Sequence, residues 1–448
     1  MLFAGCASTA LAQGAGPGSV TIPASSIVNP LDAGVRAHTN VQILLSPKDF
    51  TAANPNVRPQ YYGPPYPGLF YEVPASIACV YNLVGALEPP GVAPECNPYK
   101  ATVNPYLGEK GVAIVDAYDD PSAYNDLQTF SGQFGVAAIN PTSFMVQYAP
   151  SGLTTAGSRP GSCAPGINGT AFGPKPAQDP TGGWELEESL DIEWAHAMAP
   201  VATLYLVESQ SSSLPDLLCA VTTARDLLLQ LTGFNANDGE ISMSWGTPEF
   251  SAETSDDYVF AGVSYVVHFA AAGDTPGVSY PSASPYVVSV GGTSLSRYAT
   301  GNFIEETTWQ LAGGGQSAYE PRPHYQAGIA NIVGSFRGTP DIAADANPYT
   351  GVWVWDSFMP SGAPPCGQNC WYVLGGTSVA TPIWAGIVNA ANTASSSSYS
   401  ELNKLYADSA SLFHDITLGN CGPYMGYFAI PGWDDCTGIG SPNTYAGK

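Results

Sequence analysis

Positively charged residues are scarce in this chain of 448 residues, which has 13 Lys and Arg against 37 Asp and Glu. The formal net charge at pH 7 is therefore -24. Binding to nucleic acid or to an anionic membrane surface needs clustered Lys and Arg, so this composition argues against both partners. Only 11% of the residues are charged, whereas an ordinary soluble domain has about 25%.

The sequence also has no long hydrophobic runs, and its composition is not that of a disordered chain. It has no run of about 18 apolar residues, so it predicts no transmembrane helix. Hydrophobic residues nevertheless make up 44% of the chain and aromatic residues 11%, which argues against intrinsic disorder. The 49 Gly and 40 Pro indicate many turns on a folded scaffold, and the length allows up to three domains.

The N-terminus has a short apolar stretch that ends in Ala10-Leu11-Ala12. This stretch indicates the end of a secretory signal cleaved after Ala12, although a positively charged n-region is missing. An alternative is a poor lipoprotein box over Phe3–Cys6. We assign residues 1–12 to a signal-peptide remnant. Residues 13–73 are rich in Gly, Pro, Ser and Tyr, and we assign them to an N-terminal arm of unknown role.

Eight cysteines remain when Cys6 is set aside. No Cys-x-x-Cys or Cys/His cluster indicates zinc, and disulfides in an oxidising compartment are the favoured interpretation. The alternative is scattered buried thiols. Local spacing favours three pairs and leaves a fourth by elimination: Cys79–Cys96, Cys366–Cys370, Cys421–Cys436 and Cys163–Cys219.

From about Pro74 onwards, short apolar runs alternate with helical stretches. Continuous apolar runs bounded by Gly and Asp indicate a buried, mainly parallel sheet. The helices between them predict a doubly wound α/β fold with helices on both faces. The runs are Gly111–Asp116, 201–208, Ile241–Trp245, 263–272 and 286–291. Ligands of such folds bind at the carboxyl ends of the strands, where the chain has Asp116, Glu208, Trp245 and Asp274.

The segment 184–200, WELEESLDIEWAHAMAP, predicts a helix that Pro200 closes. Glu187 and Asp191 are four residues apart and so lie on one face, about 6 Å apart between Cβ atoms. Two carboxylates this close resist double ionisation and tend to hold a proton at mildly acidic pH, as a general acid/base requires. The alternative is a solvated acidic face, because further acids lie nearby: Glu185, Glu188 and Glu193.

A glycine-rich turn precedes a second predicted helix, over 379–392. Residues 375–382 are Gly-Gly-Thr-Ser-Val-Ala-Thr-Pro, which places Ser378 at the junction of loop and helix. Backbone N–H groups and the helix dipole favour developing negative charge at such a junction. A serine there can be a nucleophile if a base reaches it, and the alternative is a helix cap.

The motif Gly376-Thr377-Ser378-x-x-x-Pro382 resembles the serine motif of the subtilisin-like clan. Subtilisins proper also need a His-Gly-Thr-His motif, and none of the five histidines lies in one. Three other motifs stand in the chain instead: Glu187-x-x-x-Asp191, Ser244-Trp245-Gly246-x-x-Glu249 and Ala272-Gly273-Asp274.

This combination resembles the sedolisins, the serine-carboxyl peptidases. The resemblance runs from about Pro74 to the C-terminus and includes Ala113–Tyr118 and Pro340–Asp345. It implies that residues 74–448 form a sedolisin-like catalytic domain with a subtilisin-like fold.

The resemblance also implies a role for each matched residue. Ser378 is expected to be the nucleophile, Glu187 the general base and acid, and Asp191 its supporting carboxylate. Asp274 corresponds to the oxyanion-hole aspartate. The chemistry agrees, because a histidine of pKa about 6.5 is a cation in acid, whereas a glutamate of pKa about 4.3 still exchanges a proton.

The expected activity is that of a secreted, acid-acting endopeptidase that cleaves protein or peptide substrates. The alternatives are a tripeptidyl-peptidase of the same family and a catalytically silent binding relative. We expect a monomer that binds neither nucleic acid nor membrane.

The resemblance further implies a calcium loop over residues 413–441. Its ligands would be the side chains of Asp415 and Asp434 and the backbone carbonyls of Ile416, Ile430 and Gly432. Ca²⁺ prefers oxygen ligands of this kind, but composition alone favours an ordinary turn-rich loop. The family usually has Gly at position 430, so Ile430 can contribute its carbonyl only outside the left-handed backbone region.

The scarcity of Lys and Arg also bears on the pH at which the protein works. In acid the carboxylates become neutral and the five histidines become charged. With only 13 Lys and Arg, the resulting repulsion stays modest for a chain of this length. We therefore hypothesise that the low basic content is an adaptation to acid.

Overall fold

The fold of the protein was obtained as a computed structural model. It describes residues 19–53, 63–83, 96–154, 158–167, 172–232, 239–367, 369–393, 395–408 and 410–448. The expected signal-peptide remnant at 1–12, including Cys6, lies outside these residues, as do 13–18 and 54–62 of the expected arm.

Helices and strands alternate along the described chain. The helices are α1 Pro47–Ala53, α2 Pro74–Val80, α3 Ala123–Phe134, α4 Gly183–Met198, α5 Leu214–Thr232, α6 Glu253–Asp256, α7 Ala330–Val333, α8 Thr377–Ala391 and α9 Ser398–Ala407. The first ten strands are β1 His38–Thr39, β2 Gln42–Leu45, β3 Gly111–Ala117, β4 Phe144–Tyr148, β5 Thr203–Ser209, β6 Gly239–Met243, β7 Trp245–Pro248, β8 Val266–Ala271, β9 Ser279–Tyr280 and β10 Val288–Arg297. The other ten are β11 Phe303–Thr308, β12 Gly315–Pro321, β13 Phe336–Thr339, β14 Ile342–Asp345, β15 Val352–Trp355, β16 Trp371–Gly375, β17 Phe413–His414, β18 Asn420–Cys421, β19 Tyr427–Phe428 and β20 Ser441–Pro442.

The central sheet has the strand order β11-β10-β8-β6-β3-β5-β4, and β14 also pairs with β10. Its neighbouring strands run parallel except for the antiparallel pair β10–β11. The predicted apolar runs correspond to β3, β5, β6, β8 and β10. Buried strands of a parallel sheet are apolar on both faces, which is why continuous runs predicted them correctly. The subtilisin-like, doubly wound α/β fold is confirmed.

Strand β3 shows how the two faces of the sheet are covered. Val112 and Ile114 belong to one hydrophobic core together with side chains of α3, α4 and α8. Ala113 and Val115 point to the opposite face and belong to a second core with side chains of α5. Full burial of each Val or Ile side chain contributes about 1.5–3 kcal/mol relative to exposure.

The segment 19–53 is folded onto the rest of the chain. Strand β1 pairs antiparallel with β7, and β2 pairs antiparallel with β16. Four apolar side chains of the segment 19–53 are buried in the larger of the two cores: Val41, Leu44, Leu45 and Phe50. This segment therefore lies against both β6–β7 and the strand that leads into α8.

Four disulfides join the described cysteines in the pairs that spacing favoured. Their Cα–Cα distances lie between 5.2 Å for Cys79–Cys96 and 5.6 Å for Cys421–Cys436, with Cys163–Cys219 and Cys366–Cys370 within that range. These distances fit ordinary disulfide geometry. Among the described residues, no helix is long and apolar enough to cross a membrane.

A buried ion pair fastens the segment before α2 to β10. Arg297 donates to the two carboxylate oxygens of Glu72 at 2.5 and 2.6 Å, and both side chains are fully buried. The guanidinium also donates to the carbonyls of Cys96 and Gly301, while Ser76 donates to Glu72 at 2.6 Å. The bidentate geometry and the additional hydrogen bonds compensate the desolvation of both charges.

We expect Glu72→Gln to lower the free energy of unfolding by about 3–5 kcal/mol, because it leaves the buried Arg297 charge uncompensated. Urea unfolding of the purified variant measures this loss. The matched control is Glu305→Gln on the exposed face of β11. Equal midpoints and slopes for Glu72→Gln and wild type would contradict the role of the pair.

Candidate active site

Helix α4 is buried along its whole length, from Gly183 to Met198. It begins after Gly182, which has a left-handed backbone (φ 72°), and the Asp179 carboxylate accepts the N–H groups of Gly183 and Trp184. This cap uses the free N–H groups of the first turn. All acids of the helix are buried, so the alternative of a solvated face is wrong: Glu185, Glu187, Glu188, Asp191 and Glu193.

Ser378 is the second residue of α8 and follows Gly376, whose φ of 114° suits glycine. A Cβ on Gly376 would lie 1.9 Å from the Asn40 carbonyl oxygen and 2.6 Å from an Asp274 oxygen, so only glycine fits there. The Ser378 hydroxyl donates to the Ser244 carbonyl at 3.1 Å. It therefore does not cap the helix, and the capping alternative is wrong.

Ser244, between β6 and β7, joins the serine to the carboxyl pair. Its hydroxyl donates to Asp191 Oδ1 at 2.8 Å, while its carbonyl accepts the Ser378 hydroxyl. The sequence reasoning gave this residue no role, although it stands first in the quoted Ser-Trp-Gly motif. That motif and its place at the end of a predicted strand were the available signals.

Glu187 and Asp191 form a buried carboxyl pair beside Ser378. Burial raises the pKa of both well above the usual range, and the Asp191 charge raises that of Glu187 further. A hydrogen bond from the Ser378 hydroxyl lowers the Glu187 pKa and so opposes this rise. The Ser244 hydroxyl lowers the Asp191 pKa in the same way. In this structure neither Glu187 oxygen has a well-formed hydrogen bond within the described chain. The free oxygens suit a base that accepts a proton from a turning serine hydroxyl.

Two further acids lie behind this pair. Asp116 is the penultimate residue of β3, which is buried along its whole length, and its register partner on β5 is Glu208. Burial raises the Asp116 pKa well above its usual range, helped by the charges of Asp191 and Glu208. Burial raises the pKa of Glu208 to about 10. The sequence placed both at carboxyl ends of strands but did not predict that Asp116 would interact electrostatically with Glu187 and Asp191.

Asp274 follows β8 and faces the start of α8. Its Oδ1 accepts the Thr377 N–H at 2.8 Å and the Thr377 hydroxyl at 3.0 Å, while Oδ2 has no partner within the described residues. Burial raises its pKa to about 7, although hydrogen bonds from Thr377 and Gln42 lower it. Asp274 is therefore protonated in acid and could donate a hydrogen bond to an oxyanion.

A backbone carbonyl of the chain itself lies at this site. The Asn40 carbonyl accepts the Ser378 N–H at 3.2 Å, and the Asn40 N–H donates to the Ser244 carbonyl at 3.2 Å. The Asn40 carbonyl oxygen and an Asp274 oxygen both lie close to the space that a Cβ on Gly376 would occupy. The two oxygens are therefore near each other. The Asn40 peptide group therefore lies near both Ser378 and Asp274.

The two aspartates expected to bind calcium each accept a backbone N–H group within the loop 413–441. Both Asp415 oxygens accept the Gly432 N–H at 3.1–3.2 Å, and Asp434 accepts the Ile430 N–H at 3.1 Å. Asp434 is buried, and Cys421–Cys436 closes the loop. Ile430 is not among the residues with positive φ, so its backbone meets the condition for contributing a carbonyl. No group of three or more His, Cys, Asp or Glu side chains suited to a metal occurs in the described ranges.

The described fold is that of the subtilisin-like α/β proteins, and comparison with a solved structure agrees. This is a Pseudomonas sedolisin, a serine-carboxyl proteinase complexed with two molecules of pseudo-iodotyrostatin. It superposes with a TM-score of 0.60 over 83% of this chain and 95% of that chain, at 23% identity. At this identity the match supports the fold alone.

Two protein relatives extend the comparison to sequence. Kumamolisin from Bacillus sp. (strain MN-32) is 32% identical over 414 residues, which span 83% of this chain and 70% of kumamolisin. Sedolisin from Pseudomonas sp. (strain 101) is 26% identical over 378 residues, 77% of this chain and 58% of that protein. No family model matches the chain. The chain belongs to the sedolisin family of serine-carboxyl peptidases, as its motifs indicated.

The raised carboxyl pKa values make the stability of the folded protein pH-dependent. A carboxyl group whose pKa is higher in the folded state contributes its full stabilisation below its unfolded pKa of about 4. That contribution is lost as the pH rises through the folded pKa. Glu208, with a pKa of about 10, should therefore oppose folding throughout the range from about pH 5 to pH 8.

We expect Glu208→Gln to raise the free energy of unfolding at about pH 8 and to leave it nearly unchanged at about pH 4. The side-chain carbonyl of the glutamine can still accept the hydrogen bond that the Asp120 N–H donates to Glu208 Oε1 at 3.3 Å. Urea unfolding at both pH values measures the difference, with Glu305→Gln as the exposed control. Destabilisation of Glu208→Gln at the higher pH only would contradict this assignment.

Proposed function

We propose that the protein is a serine-carboxyl endopeptidase that acts in acid through an acyl-enzyme on Ser378. The observation that carries the proposal is the peptide carbonyl of Asn40, which accepts the Ser378 N–H and lies close to Asp274. A buried carboxyl pair stands beside the same serine. This arrangement supports acyl transfer, in which a nucleophile, a base and oxyanion donors act on one peptide group.

The reaction begins when the Ser378 hydroxyl turns from the Ser244 carbonyl towards Glu187, which accepts its proton as Oγ attacks the carbonyl carbon. The Ser378 N–H and protonated Asp274 stabilise the oxyanion. Glu187 then gives the proton to the leaving amine. In the second step Glu187 activates water, which hydrolyses the ester. Asp191, held by Ser244, keeps the shared proton and positions Glu187.

Action in acid follows from the electrostatics of the site. Asp274 must be protonated to donate to an oxyanion, and its pKa of about 7 meets that condition in acid. Glu187 and Asp191 are too close and too deeply buried for both to ionise, so in mild acid they share a proton. When the pair carries one proton, one carboxyl oxygen holds that proton and another is free to accept the proton of the Ser378 hydroxyl.

The backbone contacts N-terminal to Asn40 support an endopeptidase over a tripeptidyl-peptidase. More than three residues on the N-terminal side of Asn40 lie against the surrounding chain. The Ala37 N–H donates to the Ser212 carbonyl, and the Val35 carbonyl accepts the Leu214 N–H, both at 2.9 Å. A tripeptidyl-peptidase would need a group that binds a free amine and closes the cleft there. The silent relative has no support from the site, since each expected catalytic position is filled.

The substrates we propose are proteins and peptides bound as extended strands. Four disulfides support an extracytoplasmic location, because such bonds persist in oxidising compartments. Action as a monomer stays a prediction.

We also propose that the loop 413–441 binds one Ca²⁺. The donor set consists of oxygens only, from Asp415, Asp434 and the carbonyls of Ile416, Ile430 and Gly432, which suits a hard cation. A bound calcium would stabilise this glycine-rich loop by linking its two ends, and we assign it no step of the reaction.

We expect Ser378→Ala to abolish digestion of denatured casein at about pH 4, and Glu187→Gln to slow it at least about 100-fold. The first variant removes the nucleophile and the second the base. Peptide release is the readout, and Ser255→Ala on exposed α6 is the control. Equal digestion by Ser378→Ala and wild type would refute the mechanism, and inactivity of the wild type would favour the silent relative.

We expect the folded protein to retain about one calcium per chain after exhaustive dialysis, and Asp434→Asn to lose it and to melt at a lower temperature. Elemental analysis and thermal unfolding measure both effects. Asp226→Asn, which removes the carboxylate beside Arg225, is the control. A dialysed, folded wild type without calcium would rule out the site.

A further inference from the structure

We propose that Thr377 is a positioning residue, whose hydroxyl decides which oxygen of Asp274 carries the proton that is donated to the oxyanion. The inference rests on the proposed peptidase function and deepens it. It assigns the proton to Asp274 Oδ2 and gives the threonine that precedes the serine a task in the reaction.

Two donors of one residue hold the first oxygen of the Asp274 carboxyl group. The Thr377 N–H donates to Oδ1 at 2.8 Å, and the Thr377 hydroxyl donates to it at 3.0 Å. Thr377 is the first residue of α8, so its N–H has no partner within the helix. Oδ1 therefore accepts one bond that the backbone at position 377 provides and a second that needs the hydroxyl.

A third contact fixes the direction of the Thr377 hydroxyl. The Gly273 N–H donates to Thr377 Oγ1 at 3.2 Å. Because Oγ1 accepts this bond and the hydroxyl has a single proton, that proton is available to Asp274 Oδ1. The Gly273 carbonyl in turn accepts the Gly313 N–H at 2.8 Å. The loop after β8 is thus joined to the start of α8 through the residue next to Asp274.

The second oxygen, Asp274 Oδ2, lies beside the peptide group at the site. It is buried and has no hydrogen-bond partner within the described residues. A Cβ on Gly376 would lie 2.6 Å from Oδ2 and 1.9 Å from the Asn40 carbonyl oxygen, so these two oxygens are neighbours. Two such oxygens repel each other unless a proton lies between them. A proton on Oδ2 turns the contact into a hydrogen bond.

The two donors of Thr377 select this protonation state. A protonated carboxyl group has one oxygen that donates and one that accepts. Oδ1 receives two donors, so it acts as the acceptor, and the proton is placed on Oδ2. Without the hydroxyl only the backbone N–H favours this arrangement. The carboxyl group can then turn or carry its proton on Oδ1, and it stabilises an oxyanion less well.

The same hydroxyl affects the pH range in which Asp274 is protonated. Burial raises the Asp274 pKa to about 7, while the hydrogen bonds from Thr377 and Gln42 lower it. The charge that faces Asp274 is that of Glu187 on α4, whose own pKa Asp274 raises. Removal of the Thr377 hydroxyl therefore keeps Asp274 protonated to higher pH, although the acid is less well oriented.

Thr377→Val tests the inference in the full chain, because valine has the shape of threonine without its hydroxyl. Hydrolysis of a fluorogenic peptide is followed from about pH 3 to about pH 8. We expect kcat to fall about 10-fold, KM to stay within about twofold, and the alkaline limb of kcat to move to higher pH. Thr377→Ser, which restores the hydroxyl, should behave like wild type in all three respects.

A peptide aldehyde gives a second measurement on the same variants. The Ser378 hydroxyl adds to the aldehyde carbonyl, its proton passes to the new oxygen, and the tetrahedral product resembles the reaction intermediate. An interaction made only with the tetrahedral state should weaken aldehyde binding by Thr377→Val about 10-fold, as it lowers kcat.

Thr223→Val is the matched control. The Thr223 hydroxyl is also buried in a helix, where it donates to the Cys219 carbonyl at 3.1 Å, but it lies on α5 away from the site. This variant should keep the kcat, the KM and the alkaline limb of the wild type.

Asp274→Asn keeps the inference testable if Thr377→Val does not fold. With Thr377 in place, its two donors hold the amide oxygen and turn the amide N–H towards the oxyanion. We expect a kcat at least about 10-fold above that of Asp274→Ala, and no alkaline limb, because the amide does not ionise. A kcat for Asp274→Asn no higher than that of Asp274→Ala would overturn the inference.

The other contradicting results separate the inference from the function. Wild-type kcat in Thr377→Val, or a slower Thr377→Val whose alkaline limb stays in place, would overturn the inference and leave the proposed function intact. Failure of Thr377→Ser to restore the rate would do the same. Absence of both peptide hydrolysis and an aldehyde adduct in the wild type would overturn the proposed function and the inference together.

Discussion

Burial of the carboxyl groups on α4 is the constraint on which the rest of the structure depends. The helix is enclosed between α3, α8 and the sheet, so five acids lie away from water. Ionised carboxylates in such surroundings are costly unless a cation pairs with them. The buried arginines of the described chain, Arg297 and Arg337, pair elsewhere, with Glu72 and Asp341. The acids of α4 are therefore accommodated as neutral or proton-sharing groups, which favours folding in acid.

The same constraint gives the site its chemistry. A histidine base would be a cation in acid, whereas Glu187 and Asp191, which share one proton, can still accept and return another. Ser244 links that pair to Ser378, and Gly376 leaves room for a peptide carbonyl beside Asp274. The low content of Lys and Arg also suits an acidic environment, because few cations remain to repel one another when the carboxyl groups are protonated.

Much of this fold could be predicted from the sequence, because its strands are continuous apolar runs and its two functional helices have clear boundaries. Helix α8 begins two residues before the predicted 379, and α4 spans nearly all of 184–200. The position of the segment 19–53 could not be predicted. It is held by backbone hydrogen bonds between residues about two hundred positions apart, such as the bond from the Asn40 N–H to the Ser244 carbonyl, and these leave no pattern of side chains in the sequence. The contact of Asp116 with the carboxyl pair likewise depends on strand order.

The central claim is that Ser378 becomes acylated through the carboxyl pair, and trapping the acyl-enzyme tests it most directly. The protein would be mixed with a peptide ester in acid and quenched within the first turnovers. Mass spectrometry of its digest would then locate the adduct. The account predicts an acyl group on Ser378 that accumulates in acid and is absent from Glu187→Gln. Full esterase activity with no adduct on Ser378, or equal acylation of Glu187→Gln, would contradict it.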